Sequence, residues 1–196
     1  RGIELHAVDD AVIRSNQISH YDVAISAGRV DPAVHPAREI TIDHNHLDAS
    51  PDSGTAIAIE AGSNIRFVNN VVNGYADAIL LLGTRPFLSG VTVANNLVLG
   101  ISRTAFVLRD PAAAALFDFN VFSTRNDAVE VEVDRATSTL ARFLARGTMP
   151  RSEIASVRLF DRDLARLGGI ETVDRGTAVA NLPFEGKAPD LGVAER

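Results

Sequence analysis

The chain of 196 residues has no cysteine, no tryptophan and one lysine, Lys187, against eighteen arginines. Without cysteine there is neither a disulfide framework nor a thiolate metal site. With no lysine before position 187, chemistry that needs a lysine base is excluded from everything ahead of it. No apolar run approaches the ~20 residues of a membrane-spanning helix. Acidic residues outnumber basic ones, for a net charge of −6 and a pI near 5.3. That balance argues against a nucleic-acid or membrane partner, since nucleic acids and anionic membranes both favour a basic face. Helical periodicity is scarce as well. Up to about residue 134, apolar residues alternate with period two over very short runs, which indicates strands.

What is present is one phrase written several times. IRFVNNVVNG (65–74) returns as VTVANNLVLG (91–100), with the paired asparagines and the closing glycine in register. Reduced forms are AVIRSNQI (11–18), ITIDHNHL (40–47) and ALFDFNVF (115–122). The shared asparagines are Asn16, Asn45, Asn70, Asn96 and Asn120, at steps of 29, 25, 26 and 24 residues. A repeat of that length is the signature of a solenoid. Each phrase follows a second short apolar run: 2–5, 23–25, 56–59, 78–81 and 105–108. A coil therefore reads as strand, variable turn, strand, Asn, short third strand, turn. Ile18, Leu47, Val72, Val98 and Phe122 are the inward residues of the third strands.

Three strands per repeat suit an all-β, right-handed parallel β-helix of about five to six coils over residues 1–134. In such a stack the asparagines have a structural role. The corner needs a residue that tolerates the left-handed region, and stacked amides can bond one another. A glycosylation role is disfavoured, because all five lack Ser or Thr two positions on. Residues 135–196 read as a loop-rich capping tail. Thr137 or Ser138 can cap a helix carrying Leu140, Phe143 and Leu144, ended by Gly147 and Pro150. A second helical piece is expected over 159–167. On the outside of the first-strand sheet, alternation gives Glu4, Ala24, Ala58, Leu80 and Val107, then His6, Ser26, Glu60, Leu82 and Arg109. Leu80, Leu82 and Val107 need cover, and the Leu140/Phe143/Leu144 face is the expected cover. The first coil also calls for cover, from preceding coils or from a partner chain.

The coils resemble the pectate-lyase-like superfamily of right-handed parallel β-helix proteins. The carriers are the NN phrases at 69–70 and 95–96, and PFEGKAPDLG (183–192) with Asp174-Arg175-Gly176 ahead of it. The ending resembles that of many bacterial β-helix, polysaccharide-lyase-like proteins. The resemblance implies a secreted or periplasmic protein acting on an acidic, uronic-acid-containing polysaccharide by lyase or epimerase chemistry. Such lyases hold the polymer on the first sheet, neutralise a carboxylate and remove the C5 proton. It implies His6 or His20 as base, Tyr21 as proton donor, and Glu4, Asp52 and Glu60 as calcium ligands. Ser26, Tyr75, Asp77 and Arg103 would line the substrate site. The alternative is a non-catalytic carbohydrate-binding or structural stack, with any active site in missing N-terminal coils. Three weaker constellations are a His44/His46 metal pair, an Asp9-Asp10 acid/base pair like that of β-helix glycosidases, and Arg103 with Arg109 beside Asp110. For each, an ordinary surface or turn role competes.

Overall fold

The computed structural model describes residues 1–28, 36–154, 166–167, 170–171, 176–179 and 192. They form a parallel β-solenoid of about five turns. The first sheet stacks Ile3–Leu5, Val23–Ala27, the latter part of His46–Ile59, the latter part of Val71–Leu81, Thr104–Leu108 and Glu130–Val133. The second stacks Val12–Arg14, Thr41–Asp43, Arg66–Val68, Val91–Ala94 and Ala114–Asp118. The third stacks Gln17–Ser19, the starts of the two long strands, Leu97–Ile101, Val121–Thr124 and Glu153–Ile154. Every one of these pairings is parallel, as a chain that climbs one coil per circuit requires.

The core is built of columns. Ile3, Ile25, Ile57, Ile79, Phe106 and Val131 stand in register on the first sheet. Ile18, Leu47, Val72, Val98 and Phe122 do so on the third, and all five are buried. Burying an apolar column stabilises the stack by roughly 25 cal/mol for each Å² removed from water. The same pairing corrects one expected neighbour. Ser26, not Ala24, stands opposite Glu4, because Ile3 pairs with Ile25. Ala24 is fully buried.

The asparagines form the ladder. Each Nδ2 donates to the Oδ1 of the next rung: Asn16 to Asn45 at 3.0 Å, Asn45 to Asn70 at 3.0 Å, Asn70 to Asn96 at 3.2 Å and Asn96 to Asn120 at 2.9 Å. The same Oδ1 atoms accept the preceding rung's backbone N–H at 2.9–3.1 Å. The left-handed bend, however, falls one residue earlier than expected. Ser15, His44, Asn69, Asn95 and Phe119 have φ of 54–59°. This division of labour explains the doubled asparagine: the first of each pair tolerates the bend and the second carries the ladder. Gly28 serves a different corner. A Cβ there would lie 1.7 Å from the carbonyl oxygen of Ala61.

After Glu130–Val133 the chain reverses through Asp134 and Arg135, both with positive φ, into the antiparallel strand Ala136–Thr139. Helix α1, Leu140–Leu144, follows, and the Thr139 hydroxyl accepts the Arg142 N–H. The reversal sends α1 across the end of the stack. Phe143 meets the inward-facing Phe106 edge to face at 5.3 Å, and Leu140 joins the same core. The expected docking of this face on Leu80, Leu82 and Val107 is therefore overturned; α1 closes the solenoid's interior instead. Arg166–Leu167, expected to end a second helix, is a short strand paired with Ile170–Glu171. The rest of that predicted helix, and most of PFEGKAPDLG, lie outside the described residues. Two tail contacts are defined. The backbone N–H and C=O of Thr177 bond the side chain of Asn95 at 2.8 and 2.9 Å, and the Gly192 N–H donates to the Asn95 carbonyl at 2.9 Å. Gly192 lies against Leu97 and Val71, on the outer side of the third sheet.

Candidate functional site

In a strand, residues two apart share a face. That rule places His46 and Asp48 together on the outer side of the third sheet, and the coil register adds Ser19 and Asn73 beside Asp48. The Asp48 carboxylate is held from both sides. Asn73 Nδ2 donates to Oδ1 at 3.0 Å, and His46 Nε2 lies 3.4 Å from Oδ2. The hydrogen bond from His46 lowers the Asp48 pKa; burial opposes it, and Asn73 and the positive charge available to His46 and His20 add to the lowering. The Asp48 carbonyl is also committed. It accepts the His20 backbone N–H at 3.0 Å and the Tyr75 hydroxyl at 3.3 Å. An ionised carboxylate can only accept, so it fixes the proton of neutral His46 on Nε2. Nδ1 is then the basic nitrogen. The His46 side chain is 35% exposed, so solutes reach it.

The residues expected from sequence are dispersed along this corner and the adjoining first sheet. His20 sits in the turn with φ of 65°, exposed and next to Asp48. Tyr21 is half exposed at the lip of a recess of about 310 Å³, lined also by Gly2, Ile3, Gln17, Ile18 and Ser19. His6 Nε2 lies 2.8 Å from Glu4 Oε1, and Arg1 reaches the same oxygen. Ser26 is the next residue in Glu4's column; its hydroxyl is buried and has no hydrogen-bond partner among the described residues. Tyr75 departs from its expected place in a surface loop. It lies within Val71–Leu81, fully buried, and burial first and the negative Asp48 second push its pKa up to about 12. A phenol so placed holds the Asp48 backbone in position.

Asp77 and Arg103 also belong to strand and turn, respectively, and they hold each other. Arg103 Nε donates to Asp77 Oδ1 at 2.8 Å and Nη2 contacts Oδ2. Arg103 is thus committed to Asp77 and not to Asp110, which instead pairs with Arg85 at 3.2 Å and accepts the Ala112 N–H. The three residues expected to bind calcium do not converge. Glu4 and Glu60 stand two coils apart, about 10 Å at ~4.8 Å per step, whereas calcium holds its oxygen ligands at about 2.5 Å. The Asp52 side chain lies outside the described residues. Among the described residues no group of three or more His, Asp or Glu is placed to hold a metal.

The remaining constellations fall apart in the same way. His44 Nδ1 lies 3.0 Å from Asp43 Oδ2, while Arg14 Nε donates to both oxygens of that fully buried carboxylate at 2.9 and 3.1 Å. His44 and His46 therefore serve different aspartates. Asp10 takes a left-handed turn position with φ of 58° and Asp9 bridges to Arg38, so that pair shapes a corner. The cluster of His46, Asp48 and Asn73 was the constellation sequence reasoning missed. Its signal was there: His-x-Asp on a strand, and an asparagine one coil length after the aspartate. Comparison of the chain with protein-family models, curated proteins and solved structures finds no match.

Proposed function

We propose that this solenoid is a carbohydrate-active β-helix protein that takes an acidic, uronic-acid-containing polysaccharide along its outer face and abstracts the C5 proton. The observation that carries the reading is His46, an accessible imidazole whose proton is held on Nε2 by an ionised, doubly anchored Asp48. Ser19 and Asn73 stand in register with Asp48 in the coils on either side, with His20 in the adjoining turn, so they flank a sugar held at His46. His46 Nδ1 takes the C5 proton, the C4–O4 bond breaks and the C4–C5 double bond forms. The departing oxygen takes a proton, with Tyr21 or His20 as its source. Return of the proton to the opposite face of C5 would be epimerisation. The test is turnover of pectate, alginate and glycosaminoglycans, followed by the absorbance of the unsaturated product. His46→Gln should lower the rate at least ~100-fold. Absence of product from all three polymers, or an unchanged rate in His46→Gln, defeats the proposal.

A second reading is a non-catalytic carbohydrate-binding module. It is favoured by the engagement of Arg103 with Asp77, which leaves this arginine no role in neutralising a substrate carboxylate. Glycan binding without turnover, weakened by His46→Gln, supports it.

A further inference from the structure

Along the outer side of the third sheet, exposure changes abruptly after His46. Gln17, His46, Val71, Leu97 and Val121 stand in one column, each one coil beyond the last. Gln17 is exposed and His46 partly so, whereas Val71, Leu97 and Val121 are no more than 3% exposed. The neighbouring column, Ser19, Asp48, Asn73 and Leu99, changes one coil later: Asn73 is half-buried and Leu99 is buried. Strand alternation puts all of these side chains outside the core, opposite to the inward Ile18, Leu47, Val72 and Val98. Apolar side chains that face outward and yet are dry have something laid over them.

The tail lies there. Gly192, itself buried, is so close that a Cβ on it would stand 3.1 Å from Val71 Cγ2 and 2.9 Å from Leu97 Cδ1. Its N–H donates to the Asn95 carbonyl at 2.9 Å, and Thr177 pairs with the Asn95 side chain through both of its backbone groups. Lifting the tail would break these three bonds and wet Val71 and Leu97 together, so the tail is a wall and not a strap. It stands one coil past His46 in that residue's own column, and buried Leu99 bounds the next column two coils on. At ~4.8 Å per coil step, and with a linked sugar unit spanning about one step, this leaves room for about one or two units. We propose that the tail closes the site on this side, so that His46 meets the end of an acidic polysaccharide chain and not its interior. The remainder of the chain runs the other way, over Ser19 and Gln17. The inference rests on the reading that the polymer is held at His46; a site open on both sides would take the interior instead.

The test asks whether chain ends or chain length governs recognition. Pectate, alginate and a glycosaminoglycan are each prepared short and long, and Kd is measured per mole of chains. An end site gives the same Kd for both, whereas an interior site binds a roughly tenfold longer chain ~10-fold tighter, because it offers that many more registers. Hydrogen exchange at Thr177 and Gly192 should be unchanged by saturating polymer. Where the polymer is turned over, mono- and disaccharides should appear from the first time point, and absorbance should rise while viscosity holds. Binding that tightens with length, early loss of viscosity, or exchange at Thr177 and Gly192 accelerated ~10-fold by polymer overturns the inference and leaves the proposed function standing. Neither binding nor turnover of any of the three polymers defeats the proposed function, and this inference with it.

Discussion

The ladder makes a quantitative demand on the two asparagines Asn70 and Asn16. Asn70 is fully buried, and its amide makes five contacts. Nδ2 donates to the carbonyls of Ile42 and Val68 at 2.9 Å and to Asn96 Oδ1 at 3.2 Å, while Oδ1 accepts the Asn45 N–H at 2.9 Å and Asn45 Nδ2 at 3.0 Å. In Asn70→Ala, Asn45 Nδ2 keeps the carbonyls of Ile13 and Asp43, and Asn96 Oδ1 keeps the Asn70 N–H. The Asn45 N–H, however, loses its acceptor inside the stack. One buried donor left unpaired costs about 1–3 kcal/mol, and two weakened carbonyls plus the vacated volume bring the expected loss to about 3–5 kcal/mol. Asn16→Ala removes an exposed rung whose oxygen accepts no hydrogen bond among the described residues, so it should cost no more than ~1 kcal/mol. At ~2–4 °C per kcal/mol for a chain of this size, Asn70→Ala should melt roughly 6–20 °C lower and Asn16→Ala within ~4 °C of the parent. Thermal unfolding followed by circular dichroism reads both. Equal shifts in the two variants would refute the claim that the inner rungs stabilise by satisfying buried backbone.

Three further predictions follow from particular contacts. Phe143→Ala should destabilise by about 3–5 kcal/mol, because its ring faces Phe106 at the closed end. Leu80→Asp, on the outer side that α1 leaves alone, should cost far less, and urea midpoints that reverse this order would sink the assignment of α1 as a plug. Gly28→Ala should lower the melting temperature well beyond the ~1 kcal/mol expected of a simple loss of glycine freedom, since its φ is 68° and the Ala61 carbonyl occupies the Cβ position; a neutral result would mean that this corner moves freely. The hydrogen bond from His46 holds the folded Asp48 carboxyl below the ordinary aspartate range. Its contribution to stability is complete above about pH 4 and is lost as pH falls through the lower folded value. Asp48→Asn should therefore flatten the acid limb of the urea midpoint against pH, and identical slopes between about pH 4 and 2 would show that the carboxylate gains nothing from His46 and Asn73.

Linear spacing alone determined the solenoid, the five ladder positions, the inward third-strand column and a helix carrying Leu140, Phe143 and Leu144, although its cap is Thr139 while Thr137 and Ser138 lie in the preceding strand. Each of these depends on a local period or on a repeat that every coil must honour to stack. Tertiary structure decided the rest, because neighbours in a solenoid are one coil apart and the coils differ in length. Steps of 29, 25, 26 and 24 residues shift which side chains meet, so Glu4 faces Ser26 and not Ala24. Corner conformation decided that Tyr75 turns inward and that the left-handed residue precedes the ladder asparagine. The antiparallel reversal after Val133 decided that α1 closes the end of the stack and leaves Leu80, Leu82 and Val107 aside. A period states which residues recur; only the closed geometry of each coil states which of them touch.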